Sequence, residues 1–328
     1  MRRASVALFL GLSTAPLLST ARLAFADDSG LPSSFAYNYG ETETARSAAL
    51  GGAARAFGDG ATALFSNPSA MVSSRVYHIE ALAQLTPEVA RQAYGGSIVD
   101  SVTGRLAGGI GVVGGFIDPN GIDRSYLDAR LGLAFPITEN FFVGAAGRYL
   151  KATQAGLGPL GDSAASGGLV DPEGGRFAFV NTFTFDASIT ALLGDSVRAA
   201  IVGQNLSYPN NTLLPTTLGG GLGFGTRELT VEVDGLADFN SYDQTTGRVM
   251  AGGEYLVSQQ VPLRVGYRYD QGADLHALSA GLGYIGEEFS FEAAVRRTLS
   301  DPGATTIVIG LAYFLESTGF TRSPQGFE

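Results

Sequence analysis

From Arg75 onward, apolar and polar residues alternate with a period of two. That spacing puts every second side chain on one face of an extended strand. Fourteen stretches show it, at about 75–85, 88–99, 105–117, 125–136, 141–152, 177–192, 197–205, 215–225, 228–236, 247–257, 262–270, 275–285, 288–299 and 305–315. No helical period separates them, which predicts a meander of antiparallel neighbours. In the fourth stretch Leu127, Leu131, Leu133 and Phe135 face one way, and Asp128, Arg130, Gly132 and Ala134 the other. In the thirteenth, Phe289, Phe291 and Val295 oppose Ser290, Glu292 and Arg296.

A soluble sandwich alternates too, but its outward face is rich in Lys, Glu and Gln. Here the non-apolar faces carry Gly, Ala and Thr with isolated charges. Glycines on the third, eighth and twelfth stretches predict something packed close against that wall. Aromatics such as Phe116, Phe135, Phe141, Tyr149, Phe224, Tyr255, Tyr284, Phe289 and Tyr313 fall at strand ends, as at a membrane interface. Connections after even-numbered strands are short and those after odd-numbered ones tend to be longer, the first hairpin at Thr86-Pro87 excepted. Outer-membrane barrels show that parity, with the short turns on the periplasmic side. The expected fold is all-β: a 14-stranded antiparallel transmembrane β-barrel.

Ahead of the alternation lies Ala45–Met71, built almost wholly of small residues. Alanine runs favour helix, Gly51, Gly52, Gly58 and Gly60 interrupt them, and Asn67-Pro68 ends them. Small residues let one backbone approach another. Two readings follow from these residues alone: a plug folded inside the barrel, or a short surface helix before a β domain.

The N-terminus reads as a signal peptide over 1–26. Arg2 and Arg3 precede an apolar run, Ala4–Leu18, and Ala24-Phe25-Ala26 is a cleavage pattern. The expected divisions are then an N-terminal periplasmic segment and plug at 27–73, a barrel at 74–315 and a tail at 316–328. Past that signal the chain carries 18 basic and 31 acidic residues, which argues against nucleic acid as a partner. It has no cysteine, which excludes disulfides, thiol catalysis and Cys-based metal sites.

Candidate chemistry is sparse. Gly109–Gly114 and Gly281–Gly286 match G-x-G-x-x-G, but no helix follows either, so they read as ordinary strand glycines. The two histidines, His78 and His276, lack a recurring partner set and read as lumen residues; no nucleophile–base pair stands out. No enzyme activity and no cofactor is therefore expected. The inward faces carry Glu80, Arg91, Arg130, Arg148, Asp186, Arg198, Glu232, Glu254, Arg264, Arg268, Glu292 and Arg296. These could define a permeation path. Mutual pairing and contacts to Asp59, Arg46 and Arg55 of the plug is the reading favoured here, since a buried charge requires partners.

Residues 49–53 (Ala-Leu-Gly-Gly-Ala) and 59–71 (Asp-Gly-Ala-Thr-Ala-Leu-Phe-Ser-Asn-Pro-Ser-Ala-Met) resemble the N-terminal hatch of the FadL-type outer-membrane superfamily. The strand phrases from Arg248 to Tyr255 and Leu263 to Tyr269, followed by Ser279–Tyr284, resemble its PorV/PorQ-like branch. The resemblance implies a fourteen-stranded barrel whose N-terminal hatch gates passage of hydrophobic molecules, a role it carries to Asp59, Asn67, Pro68 and Ser69. Ser69 replaces the usual Ala, and Gly60 a common second Asp. Only 153–176 is a long outer loop, whereas fatty-acid transporters build their capture site from several. The resemblance thus implies two functions: passive transport of small hydrophobic molecules, or a docking and shuttle barrel for secretion or envelope assembly. The partners implied are outer-membrane lipid and either a hydrophobic ligand or an envelope protein.

Overall fold

The computed structural model describes residues 38, 41–117, 124–155, 176–209, 211, 213–299 and 303–315. The expected signal peptide, the tail and most of the loop 153–176 lie outside them.

Every strand pairs with its neighbours in sequence, and the first closes on the last to give one antiparallel barrel. In order, the strands are β1 (Tyr77–Thr86), β2 (Arg91–Asp100), β3 (Ala107–Ile117), β4 (Arg124–Thr138), β5 (Phe141–Ala155), β6 (Arg176–Leu193), β7 (Val197–Gln204), β8 (Thr217–Gly225), β9 (Leu229–Asp238), β10 (Thr246–Val257), β11 (Val261–Asp270), β12 (Leu275–Ile285), β13 (Phe289–Thr298) and β14 (Thr305–Phe314). The expected strands match these closely. The largest shifts are three residues, at the end of β5 (155 rather than 152) and at the start of β2 (91 rather than 88). There Pro87, which cannot donate to a ladder, opens a 3₁₀ turn (Pro87–Val89), and Ala90 reverses the chain at φ 45°.

Side-chain exposure follows the alternation. Val265 (65%), Phe183 (63%) and Leu131 (56%) face outward, while Arg264 and Arg130, one residue away from two of them, are each 3% exposed. Every strand contributes an exposed large apolar residue, so the belt is continuous around the wall. Each such side chain left in water forgoes roughly 1 kcal/mol or more of burial energy, and a continuous belt far exceeds the apolar patches that soluble proteins carry. A bilayer is the solvent that suits it, and closure removes the unpaired edges that lipid cannot satisfy. Phe135, Phe141, Phe224, Tyr255, Tyr284, Phe289 and Tyr313 ring the end where β1 starts and β14 finishes. The turns at that end, such as 139–140 and 194–196, are short.

Residues 41–73 run through the lumen. They form α1 (Ala45–Ala49), α2 (Gly60–Ser66) and a 3₁₀ turn (Pro68–Val72). Thr44 and Ser47 close a capping box on α1. Asn67, at φ −152° and ψ 91°, ends α2 ahead of Pro68. Of the two readings left open by the sequence, the plug is the one observed. α1 packs on Ala294 and Val308 of the wall. Gly51 sits at φ +68°, where a Cβ would stand 2.7 Å from the Tyr267 carbonyl oxygen. Glycines on all three expected strands meet the plug: Gly109 and Gly111 meet Leu64, Gly223 meets Phe57 and Gly281 meets Ala49.

An arginine placed mid-wall tests the lipid face. Val265→Arg is expected to destabilise the barrel by about 2–4 kcal/mol in reversible unfolding from lipid vesicles. A change near zero would show that this face meets water.

Candidate functional site

The plug is held by carboxylates and arginines that meet across the lumen. Glu41 accepts from Arg248 at 3.0 Å and from Arg268 at 2.9 Å, with Arg55 of the plug 3.8 Å away. Glu43 pairs with Arg296 at 2.5 Å and Arg268 at 3.7 Å. The Gln84 side chain donates to the Glu43 carbonyl at 2.6 Å. Arg248 reaches on to Asp238 and Asp270, at 3.1 and 3.6 Å. Removing one member of a buried pair costs about 3–5 kcal/mol, because the other is left charged without water.

A second socket lies on β9. The backbone N–H groups of Ala54 and Arg55 donate to Asp234 at 3.0 and 3.1 Å, and those of Ala56 and Phe57 to Glu232 at 2.5 and 3.0 Å. The Arg55 side chain also reaches Asp234, at 3.1 Å. These four amides fall in the irregular stretch between α1 and α2, where no helix bond serves them, so the wall supplies the acceptors. A third group joins Arg46 to Glu254 at 3.4 Å, and Arg264 to Glu254 and Glu292 at 2.5 and 2.7 Å. A fourth lies mainly within the wall: Asp128 with Arg148 at 2.7 Å and Arg130 at 3.5 Å. Thr42 of the plug donates to Asp128 at 3.2 Å.

All the lumen charges expected from sequence, Glu80, Arg91, Arg130, Arg148, Glu254, Arg264, Arg268, Glu292 and Arg296 among them, face inward on their strands. Arg91 meets amide and phenol rather than carboxylate among the described residues, donating to Gln84 and Tyr126. Glu80 lies 3.8 Å from His78. Asp59 differs from expectation. It pairs with Arg46 inside the plug at 2.6 Å, not with the wall, and its side chain is 50% exposed, so the pair contributes little by itself. His276 is a second correction: it lies on the outward face, stacked on Tyr269 and bonded to the Tyr267 hydroxyl, because residue 276 has the parity of Leu278 and not of Ala277. Asn67 and Ser69 are fully buried and bond to Thr190, and the Ser69 amide donates to Ser188.

The sequence reading missed Glu41 and Glu43, which lie just ahead of the small-residue stretch Ala45–Met71. It placed Asp128 on the inward face without counting it as a site charge, and left out Asp234 and Arg248, although each shares strand parity with a recognised inward charge.

Two cavities of about 10 Å³ flank Glu41, each the size for a single water. A concavity of about 660 Å³ lies on the other side of the wall. Outward-facing Gly253, Ala280 and Ala293 floor it, so it opens to lipid and not to the lumen.

No family model matches the chain, and no curated sequence does. Solved structures match in fold. The Ralstonia pickettii toluene transporter TbuX is 14% identical, with a TM-score of 0.61 over 84% of this chain and 99% of that one. The CymD monoaromatic hydrocarbon channel is 16% identical, TM-score 0.61, over 82% and 96%. A Pseudomonas aeruginosa FadL homologue is 14% identical, TM-score 0.59, over 83% and 98%. The chain thus has the fold of FadL-type barrels.

Burial would raise the Glu41 carboxyl, but Arg268, Arg248 and Arg55 outweigh it and hold its pKa at about 2, below the usual 4.5. A depressed carboxylate contributes its full stability above the unfolded value and loses it as pH falls toward the folded one. Protease protection of residues 41–72 in micelles should therefore be level down to about pH 4.5 and fall between there and about pH 2. Glu41→Gln should flatten that fall; an unchanged profile would remove Glu41 as an anchor. On β5, the Cβ of Gly144→Val would run into the Pro68–Ser69 backbone. This change should expose the plug to protease while the barrel keeps its heat-modifiable gel mobility.

Proposed function

We propose that the protein is a bacterial outer-membrane channel for passive uptake of small hydrophobic molecules. The observation that carries this reading is the separateness of the filling. A wide closed wall is blocked by an N-terminal segment that no disulfide ties to it and that the chain joins to it only through residues 74–76, so the block can move and the wall can stay. Asn67, Pro68 and Ser69 belong to the gate in this reading, with Asp59 on its exposed edge. The short-turned end where β1 starts and β14 finishes faces the periplasm, and export uses the cleaved signal over 1–26. Residues 27–73 act as one periplasmic and plug unit and 74–315 as the barrel. The fold shared with toluene and hydrocarbon channels supports the substrate class. No bond chemistry is invoked.

A second reading, a docking barrel of the PorV-like kind, is favoured by the ion pairs on Glu41 and Glu43, which tie the plug more firmly than a gate requires. Uptake of radiolabelled toluene and oleate by cells expressing the full chain decides between them. Transport predicts faster entry of at least one and no change for a sugar of similar size. Unchanged entry of both, with a stable protein partner co-purifying, would favour docking.

A further inference from the structure

The plug is not held uniformly. Residues 41–57 meet the wall through ions: Glu41 and Glu43 on Arg248, Arg268 and Arg296, Arg46 on Glu254, Arg55 and four backbone amides on Asp234 and Glu232. Residues 60–72 meet it differently. Among the described residues their polar contacts to the wall are hydroxyl and amide bonds to Thr190 and Ser188, and one from Arg130 to the Phe65 carbonyl. The remaining contacts are apolar. Leu64 and Met71 pack with Val99, Ala107 and Ala134, and Phe65 with Leu82, Ala93 and Val113.

These apolar contacts form a continuous seam along β1–β5. At the mouth away from the start of β1 and the finish of β14, Val89, Ile117, Leu150, Leu213, Leu214 and Leu275 cluster together. Tyr126 packs on that cluster and also on the Phe65 cluster below it. Leu64 and Phe65 both lie against Gly111, which joins the Phe65 cluster to the Leu64–Met71 cluster beneath. That lowest cluster includes Val99 and Ala107, one at the end of β2 and the other at the start of β3, next to the turn 101–106.

We propose that the gate is half of the plug. Residues 60–72 yield to an apolar molecule moving down the β1–β5 seam, which takes the places of Phe65, Leu64 and Met71, while residues 41–57 stay bound. This rests on the transport reading above. A ligand shifts a conformational equilibrium only by its differential affinity for the two states. An apolar molecule can replace the dispersion contacts of Phe65 and Leu64. It cannot satisfy Glu41, Glu43 or Arg55, which would be left charged in a low-dielectric lumen. The seam therefore takes neutral, compact, apolar molecules, and Arg130, 5.5 Å from the Phe65 ring centroid, would meet an aromatic ring seated there.

Two measurements on the full chain test this. Hydrogen exchange in micelles needs no substitution and no transport. Amides of 60–72 should exchange about tenfold faster than those of 44–57, and faster still when toluene is added. Exchange of both halves together, or of 44–57 first, would overturn the proposal. The cysteine-free background then permits tethers. A Cβ at 310 would lie 3.6 Å from the Ala45 Cβ, inside the disulfide range, so Ala45→Cys/Gly310→Cys fixes the first half. The Ser69 and Thr190 hydroxyls lie 2.8 Å apart, so Ser69→Cys/Thr190→Cys fixes the second. Oxidising the second pair should drop toluene uptake to the level of cells lacking the protein, with recovery on reduction; oxidising the first should leave uptake unchanged. The reverse pattern, or uptake indifferent to both tethers, would overturn the half-gate. No uptake even by the unsubstituted chain would sink the transport reading alone, with the exchange order still deciding which half moves.

Discussion

Fourteen strands enclose more space than their own inward side chains can fill. Eight strands close around a core of side chains, and each further pair widens the lumen. The inward faces here are lined by glycine, alanine and single charges, so the wall leaves that space vacant by its own composition. Everything else in the structure answers that constraint. A separate segment fills the lumen, and its backbone polar groups and its charges must find partners away from water.

The partners are unevenly placed. β9 to β13 present Glu232, Asp234, Arg248, Glu254, Arg264, Arg268 and Arg296 to the early part of the plug, and β2 to β4 present mostly apolar side chains and glycine to the later part. In the dry lumen an ionic contact is costly to break and an apolar contact is readily exchanged for another. One face of the lumen therefore anchors, and the opposite face can be vacated by something greasy. Meanwhile the outer surface is the same all round, because lipid sets the same demand on every strand.

The parts legible in the sequence were those set by a local rule. Strand number, strand limits and meander order follow from a period of two that lipid on one side and a filled lumen on the other impose on every strand. Leu131 beside Arg130, and Val265 beside Arg264, show the rule residue by residue. The end of the plug helix was legible because Asn67-Pro68 acts on its own backbone. Pairing partners were not legible. Glu43 meets Arg296 across more than half of the chain, and nothing near Glu43 announces it. Asp59 looked like a wall anchor because it is charged and central, yet it is turned to Arg46. His276 shows the cost of ignoring parity, and Asp234 and Arg248 show what parity alone would have recovered.

Ion conductance in a planar bilayer tests most directly that the lumen is closed by its own N-terminal segment. The full chain, once its insertion is verified by heat-modifiable mobility, should pass no steady current of small ions. A barrel lacking residues 41–72 should pass a large one. A steady open-pore current through the intact chain, or silence after the segment is removed from a correctly inserted barrel, would contradict a wall that is hollow by composition and blocked by its plug.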